Sequence, residues 1–178
     1  THGDRGNVGW KRRGEAVCWA AMSELRTTSQ IPPGALVCRG VRGATTVAAD
    51  TRDEVLAATR QLLALLIRLN EIHPEEVGSV IFSTTEDVNA EFPALAARQL
   101  GWNDVPLLCT HELNVPGSLP LCIRVLVMWN TTKTQSEIRH VYIKGATRLR
   151  PDLSQLPPVD FQELEAWIAD QMQAFKKS

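Results

Sequence analysis

With 178 residues, 44% of them hydrophobic and 22% charged, and a net charge of −1, the chain has the makeup of an ordinary single-domain globular protein. That balance gives no electrostatic reason to expect a nucleic-acid or membrane-surface partner, and no apolar run approaches the ~20 residues a bilayer span needs. The cysteines (Cys18, Cys38, Cys109, Cys122) and histidines (His2, His73, His111, His140) lack the spacing of a zinc site, a redox pair or a disulfide framework, so no structural metal and a reducing, cytoplasmic compartment are expected.

Residues 1–34 read as an N-terminal extension, expected to be flexible. Lys11, Arg12 and Arg13 are followed by too short and mixed an apolar stretch for a signal peptide. The run beginning at Met22 reads as a translation start, which would make the residues before it an appendage. Pro32-Pro33-Gly34 then marks a linker.

After that linker, Ala35 to Val41 is β-rich, and the small, polar run Arg42-Gly43-Ala44-Thr45-Thr46 reads as a loop. Asp50 or Thr51 caps a helix with acid in its first turn, and the apolar stripe from Val55 to Leu69 keeps helical period. His73 to Glu76 is a turn, and Ser79 to Thr84 a β-branched strand. Phe92-Pro93 opens a second helix that stops at Gly101.

Val105 to Thr110 is a further strand, and Pro116-Gly117-Ser118 a turn. Leu121 to Asn130 is a long apolar strand, expected to be central and buried on both faces. The last strand lies between Arg139 and Leu149, before Pro151. The order β-α-β-α-β-β-β predicts an α+β fold, a mixed β-sheet with two helices packed on one face. Beyond Pro157-Pro158, residues Phe161, Leu164, Ile168, Met172 and Phe175 step by three and four, so the tail 154–178 carries an amphipathic helix.

No nucleophile elbow, phosphate loop, dinucleotide fingerprint or zinc-protease helix is present. What stands out is Arg124 inside the apolar run Cys122-Ile123-Arg124-Val125-Leu126. A charge there must be paired or must face a pocket, so either a structural ion pair with Glu112 or an anion site is expected. The glycine-flanked Arg42 is a second place where backbone and guanidinium could meet a carboxylate.

Taken together, the stretch from Val37 to Leu153, within a domain expected over residues 35–153, resembles the trimeric, non-helical chorismate mutases of the Bacillus type. The resemblance is carried by Arg39-Gly40-Val41-Arg42-Gly43-Ala44-Thr45-Thr46-Val47, Phe92-Pro93-Ala94 with Arg98, and Gly101-Trp102. It continues through Val105-Pro106, Cys109, Glu112, Cys122-Ile123-Arg124-Val125, Ile138-Arg139-His140-Val141-Tyr142 and Leu149-Arg150-Pro151-Asp152-Leu153. It implies a cofactor-free isomerase acting on chorismate, and a homotrimer with a barrel-like core and active sites at subunit interfaces.

By the same resemblance, Arg124 would sit by the substrate's ether oxygen and a carboxylate, Arg42 would bind a carboxylate, and Tyr142 would donate its hydroxyl to one. Glu112 and Cys109 would hold the ring hydroxyl, and Phe92 and Leu149 would wall the ring. Arg98 and Arg150 would border the mouth, with Ala94 and Leu108 among the substrate-binding positions. The sequence departs from the family at Leu95, where lysine is frequent, at Leu108, where threonine precedes the cysteine, and at Asn114-Val115-Pro116-Gly117-Ser118. Two rival readings share the architecture: a deaminase-like trimer and a non-catalytic trimer that binds chorismate-like acids.

Overall fold

The computed structural model describes residues 31–32 and 34–177. The N-terminal extension, with Met22, Cys18 and the basic run Lys11 to Arg13, lies outside the described residues. Strand β1 (Val37–Thr46) leads into helix α1 (Arg52–Asn70), followed by β2 (Val77–Thr84), α2 (Pro93–Gln99), β3 (Leu107–His111), β4 (Cys122–Thr131), β5 (Val141–Tyr142) and helix α3 (Phe161–Phe175). The strands form one sheet in the order β3-β2-β4-β1-β5. Pairing is antiparallel for β1 with β4 and β2 with β4, and parallel for β2 with β3 and β1 with β5, so the sheet is mixed and the fold α+β.

Local chemistry sets the helix ends. Thr51 caps α1 by accepting from the Glu54 amide, Asp53 and Glu54 sit in the first turn, and Glu71 closes the helix in the left-handed region. Pro93 opens α2, and Gly101, at φ +90, turns the chain away from it.

The core lies between α1 and one face of the sheet. Leu62, Leu63 and Leu66 of α1 meet Val41, Phe82, Val125 and Val127, and Leu164 and Ile168 of α3 join the same cluster. Among the described residues no helix is long and apolar enough to cross a membrane.

Two expectations are corrected. The run Arg42 to Thr46 is strand, paired residue by residue with β4 from Arg42↔Leu126 to Thr46↔Cys122. Its small residues answer to packing: a Cβ on Gly43 would lie 3.0 Å from methyls of Leu62 and Leu66 and 3.2 Å from the Val141 carbonyl. Strand β4 is central, but Arg124, Leu126 and Met128 are only partly buried, so its second face is open in the single chain. The last strand lies where expected, between Arg139 and Leu149, and is two residues long, because Lys144 takes φ +53 and the backbone continues as a 3-10 helix over Lys144–Leu149.

Candidate active site

Sheet register assembles the site on that open face. Directly paired residues share a face, and the pairs Tyr142↔Ala44, Ala44↔Arg124 and Arg124↔Ser83 form one row across β5, β1, β4 and β2. With strands ~4.8 Å apart, Arg124 and Tyr142 stand about 10 Å from each other. The residue between them is only an alanine, so a cleft opens there. It has a volume of about 470 Å³ and is lined by Arg42, Glu112, Arg124, Tyr142, Leu149 and Arg150 among others.

Arg124 makes the ion pair with Glu112 that its sequence context allowed, and it also lines the cleft. A terminal guanidinium nitrogen donates to Glu112 Oε2 at 2.8 Å. The two side chains are 33% and 27% exposed, so the pair is neither sealed in the core nor free in solvent. Glu112 follows β3 directly and is held by its amide, which donates to the Thr84 carbonyl.

The Arg124 Nε is buried without a hydrogen-bond partner. The Cys122 thiol is pushed up chiefly by burial and drawn back by this guanidinium, so it lies near without satisfying Nε by hydrogen-bond geometry. A buried, unsatisfied cationic donor beside a cleft is costly unless something else gains from it.

Arg42 is fixed through its backbone. Beyond the two-residue β5, its amide finds no strand partner and donates instead to His140 Nδ1 at 3.1 Å. Only an unprotonated Nδ1 can accept. Burial, and then the charges of Arg42 and Arg150, hold the His140 pKa below its ordinary value. Arg150 makes a two-pronged pair with Asp152 at 2.9 and 2.6 Å, which raises its own pKa and lowers that of Asp152. Tyr142 is buried against Ala44 and Ala146, with Leu149 packed on them, and its hydroxyl makes no hydrogen bond among the described residues.

The remaining expected residues lie elsewhere on the chain. Cys109 pairs with Phe82, whose side chain is in the core, so the Cys109 side chain turns toward the helices and away from Arg124. Its thiol is pushed up by burial, against which the Ala94 amide acts. With Phe92, Thr84 and His111 it lines a separate pocket of about 260 Å³. Phe92 is 69% exposed, and Leu108, also exposed, shares the open sheet face with Ile81. Arg98, in the last turn of α2, donates to the Asn103 carbonyl at 3.0 Å.

Sequence reasoning gave no role to His140 or His111. His140 could have been found from its place two residues before Tyr142, on the same side of the strand. His111 carried no such signal; its ring reaches the Thr84 hydroxyl at 3.0 Å only through the β2–β3 pairing.

The sequence profile of chorismate mutase type I matches residues 38–153. The chain belongs to that family. As a type I chorismate mutase relative it is 53% identical over 116 residues to the chorismate mutase AroH of Thermus thermophilus, spanning 65% of this chain and 95% of that protein. To the AroH of Bacillus subtilis (strain 168) it is 48% identical over 120 residues, 67% of this chain and 94% of that one. Among solved structures, a chorismate mutase from Clostridium thermocellum superposes with a TM-score of 0.61 at 44% identity, covering 62% of this chain and 98% of the other.

Proposed function

We propose that this chain converts chorismate to prephenate, an isomerisation of aromatic amino acid biosynthesis, in clefts between the subunits of a homotrimer. The observation that carries the reading is the charge of the cleft: Arg42, Arg124 and Arg150 line it with one lining carboxylate, Glu112, and with Asp152 paired to Arg150, so a positive charge remains. That surplus suits a small dianion.

The chemistry asks for little else. In one pericyclic step the ether C–O bond breaks as a C–C bond forms, and every atom stays in the molecule. No proton moves to or from the protein. The protein must hold the substrate folded, with its two ends in contact, and stabilise negative charge growing on the ether oxygen. Arg124 meets the second need, being planar, permanently charged and held in place by Glu112. Arg42 and Tyr142 would bind carboxylates, Glu112 the ring hydroxyl, and Leu149 the ring, with Arg150 at the rim.

The trimer is supported by two features. Ile81, Leu126 and Met128 leave an apolar, partly exposed sheet face to which exposed Leu108 adds, and Leu113 and Val115 in the loop after β3 are exposed as well. A monomer gains nothing by presenting such a patch to water, and a barrel-like core of three sheets would bury it. In addition, Phe92, Ala94, Arg98, Leu108 and Cys109 lie outside the arginine-lined cleft of their own chain. Docked on a neighbour's cleft, they would complete it, Cys109 meeting the ring hydroxyl and Phe92 the ring.

On this reading residues 35–153 form the catalytic domain, preceded by an extension and followed by a tail whose amphipathic helix packs Leu164 and Ile168 inward. The described free thiols Cys38, Cys109 and Cys122 suit the cytoplasm. Loss of chorismate absorbance with prephenate as sole product tests the function, and binding without turnover would favour the metabolite-binding trimer.

A further inference from the structure

Phe92 combines an exposed side chain with a fastened backbone. The side chain is 69% exposed. Pro93, the next residue, is buried at the start of α2, and the Phe92 carbonyl accepts from the Leu95 amide at 3.0 Å. Earlier in the same loop, Val88 is buried with Val47, Val55, Ala58 and Ile123.

Between Val88 and Pro93 the chain is held by carboxylates at the start of α1 and in the loop itself. Asp50, next to the Thr51 cap, uses one oxygen to accept from two successive amides, Asn89 at 3.0 Å and Ala90 at 2.9 Å. Glu91 forms a bridge: Oε1 accepts from the Phe92 amide at 2.8 Å, and Oε2 accepts from Arg52 Nε at 2.8 Å. The Phe92 amide, opposed by burial and aided by Arg52, holds the Glu91 carboxyl below the usual carboxylate range, so it is ionised at neutral pH. Bonds from amides to ionised carboxylates are the stronger kind.

A phenyl ring left in water gains nothing from a fixed backbone. Fixing it benefits a contact made outside its own chain, because the ordering is done before the partner arrives.

We propose that Asp50 and Glu91 are positioning residues for the reaction, holding Phe92 where its ring walls the substrate in a neighbour's cleft. The inference rests on the function proposed above and adds two residues that act through Phe92 alone.

Steady-state kinetics on Glu91→Ala and Asp50→Ala, and on the conservative forms Glu91→Gln and Asp50→Asn, is the test, with each alanine variant also made in a Phe92→Ala chain. A wall contact is made in ground and transition states alike. KM is therefore expected to rise about tenfold in both alanine variants, with kcat within about twofold of the parent. Glu91→Gln and Asp50→Asn keep an acceptor oxygen and should recover most of the loss. In the Phe92→Ala background neither alanine substitution should raise KM further. Glu91 keeps contact with solvent, so Glu91→Ala should retain the parent's melting temperature and decides the matter if Asp50→Ala does not fold. An unchanged KM in Glu91→Ala, or a tenfold rise that persists without Phe92, overturns the proposal. A folded parent that does not consume chorismate removes the proposed function instead. Amide hydrogen exchange then reads the positioning directly: faster exchange is expected at Phe92 in Glu91→Ala and at Ala90 in Asp50→Ala, and exchange equal to the parent's overturns it.

Discussion

Arg124 gives Glu112 a 2.8 Å hydrogen bond from one end of its guanidinium while its Nε stays buried and unpaired. The carboxylate therefore sets the orientation of the guanidinium without using up its donors. Glu112→Ala should release the guanidinium and lower kcat/KM about tenfold to a hundredfold, the usual consequence of unpairing a partly buried charged bond. Glu112→Gln keeps an acceptor oxygen and should recover part of the loss. Steady-state kinetics on the two variants checks this, and equal losses would argue against an orienting role.

Gly43 lets β1 approach α1 closely. Gly43→Ala forces a methyl to within 3.0 Å of two leucine side chains and 3.2 Å of a carbonyl oxygen. The leucines can shift but the backbone oxygen cannot, so a loss of about 1–3 kcal/mol is expected. Thermal or urea unfolding measures it, and an unchanged midpoint would mean that the contact has slack.

The Arg42 amide depends on a neutral His140, which yields a pH prediction. Burial first, then Arg42 and Arg150, lower the folded pKa below 6.5. In the unfolded chain the imidazole takes up its proton near 6.5, in the folded chain only at lower pH. Stability is thus fully present above about 6.5 and is lost as pH falls through that window. KM should rise on the same acid limb as Arg42 loses its anchor. Because the reaction transfers no proton, kcat should stay level between about pH 6 and 9. His140→Asn supplies a non-titrating acceptor and should flatten the acid limb, whereas an acid limb identical to that of the parent would remove His140 from the explanation.

If each site joins two subunits, two inactive variants should rescue one another. Arg124→Ala spoils the arginine-lined half, and Ala94→Trp is expected to block the Phe92 half. Refolded together, random mixing leaves roughly a quarter of the sites with both halves intact. Activity in the mixture checks this, and no recovery would indicate that one chain supplies the whole site.

Much of the fold was legible because single elements announce themselves. The 3.6-residue stripe of α1, the β-branched run of β2 and the glycine after α2 all depend on neighbours in sequence. Arg42 to Thr46 was misread because its residues are small for the sake of α1, a partner that local composition does not reveal. The open face of β4 was hidden for a similar reason, since an apolar strand reads alike whether its second face meets its own chain or another. At the site, Arg124 stood out as a charge in an apolar strand. The separation of Cys109 from the cleft depends on strand alternation and could have been read from its odd spacing to Glu112, whereas the row Tyr142–Ala44–Arg124 required the register.

The most direct test follows chorismate by ultraviolet absorbance with the purified chain and with Arg124→Ala, alongside sedimentation to confirm that both assemble alike. The account predicts conversion to prephenate by the parent and a fall in kcat of at least about a hundredfold in the variant, the usual worth of one fixed donor at a developing charge. A variant with near-normal kcat, or a parent that binds chorismate without consuming it, would contradict it.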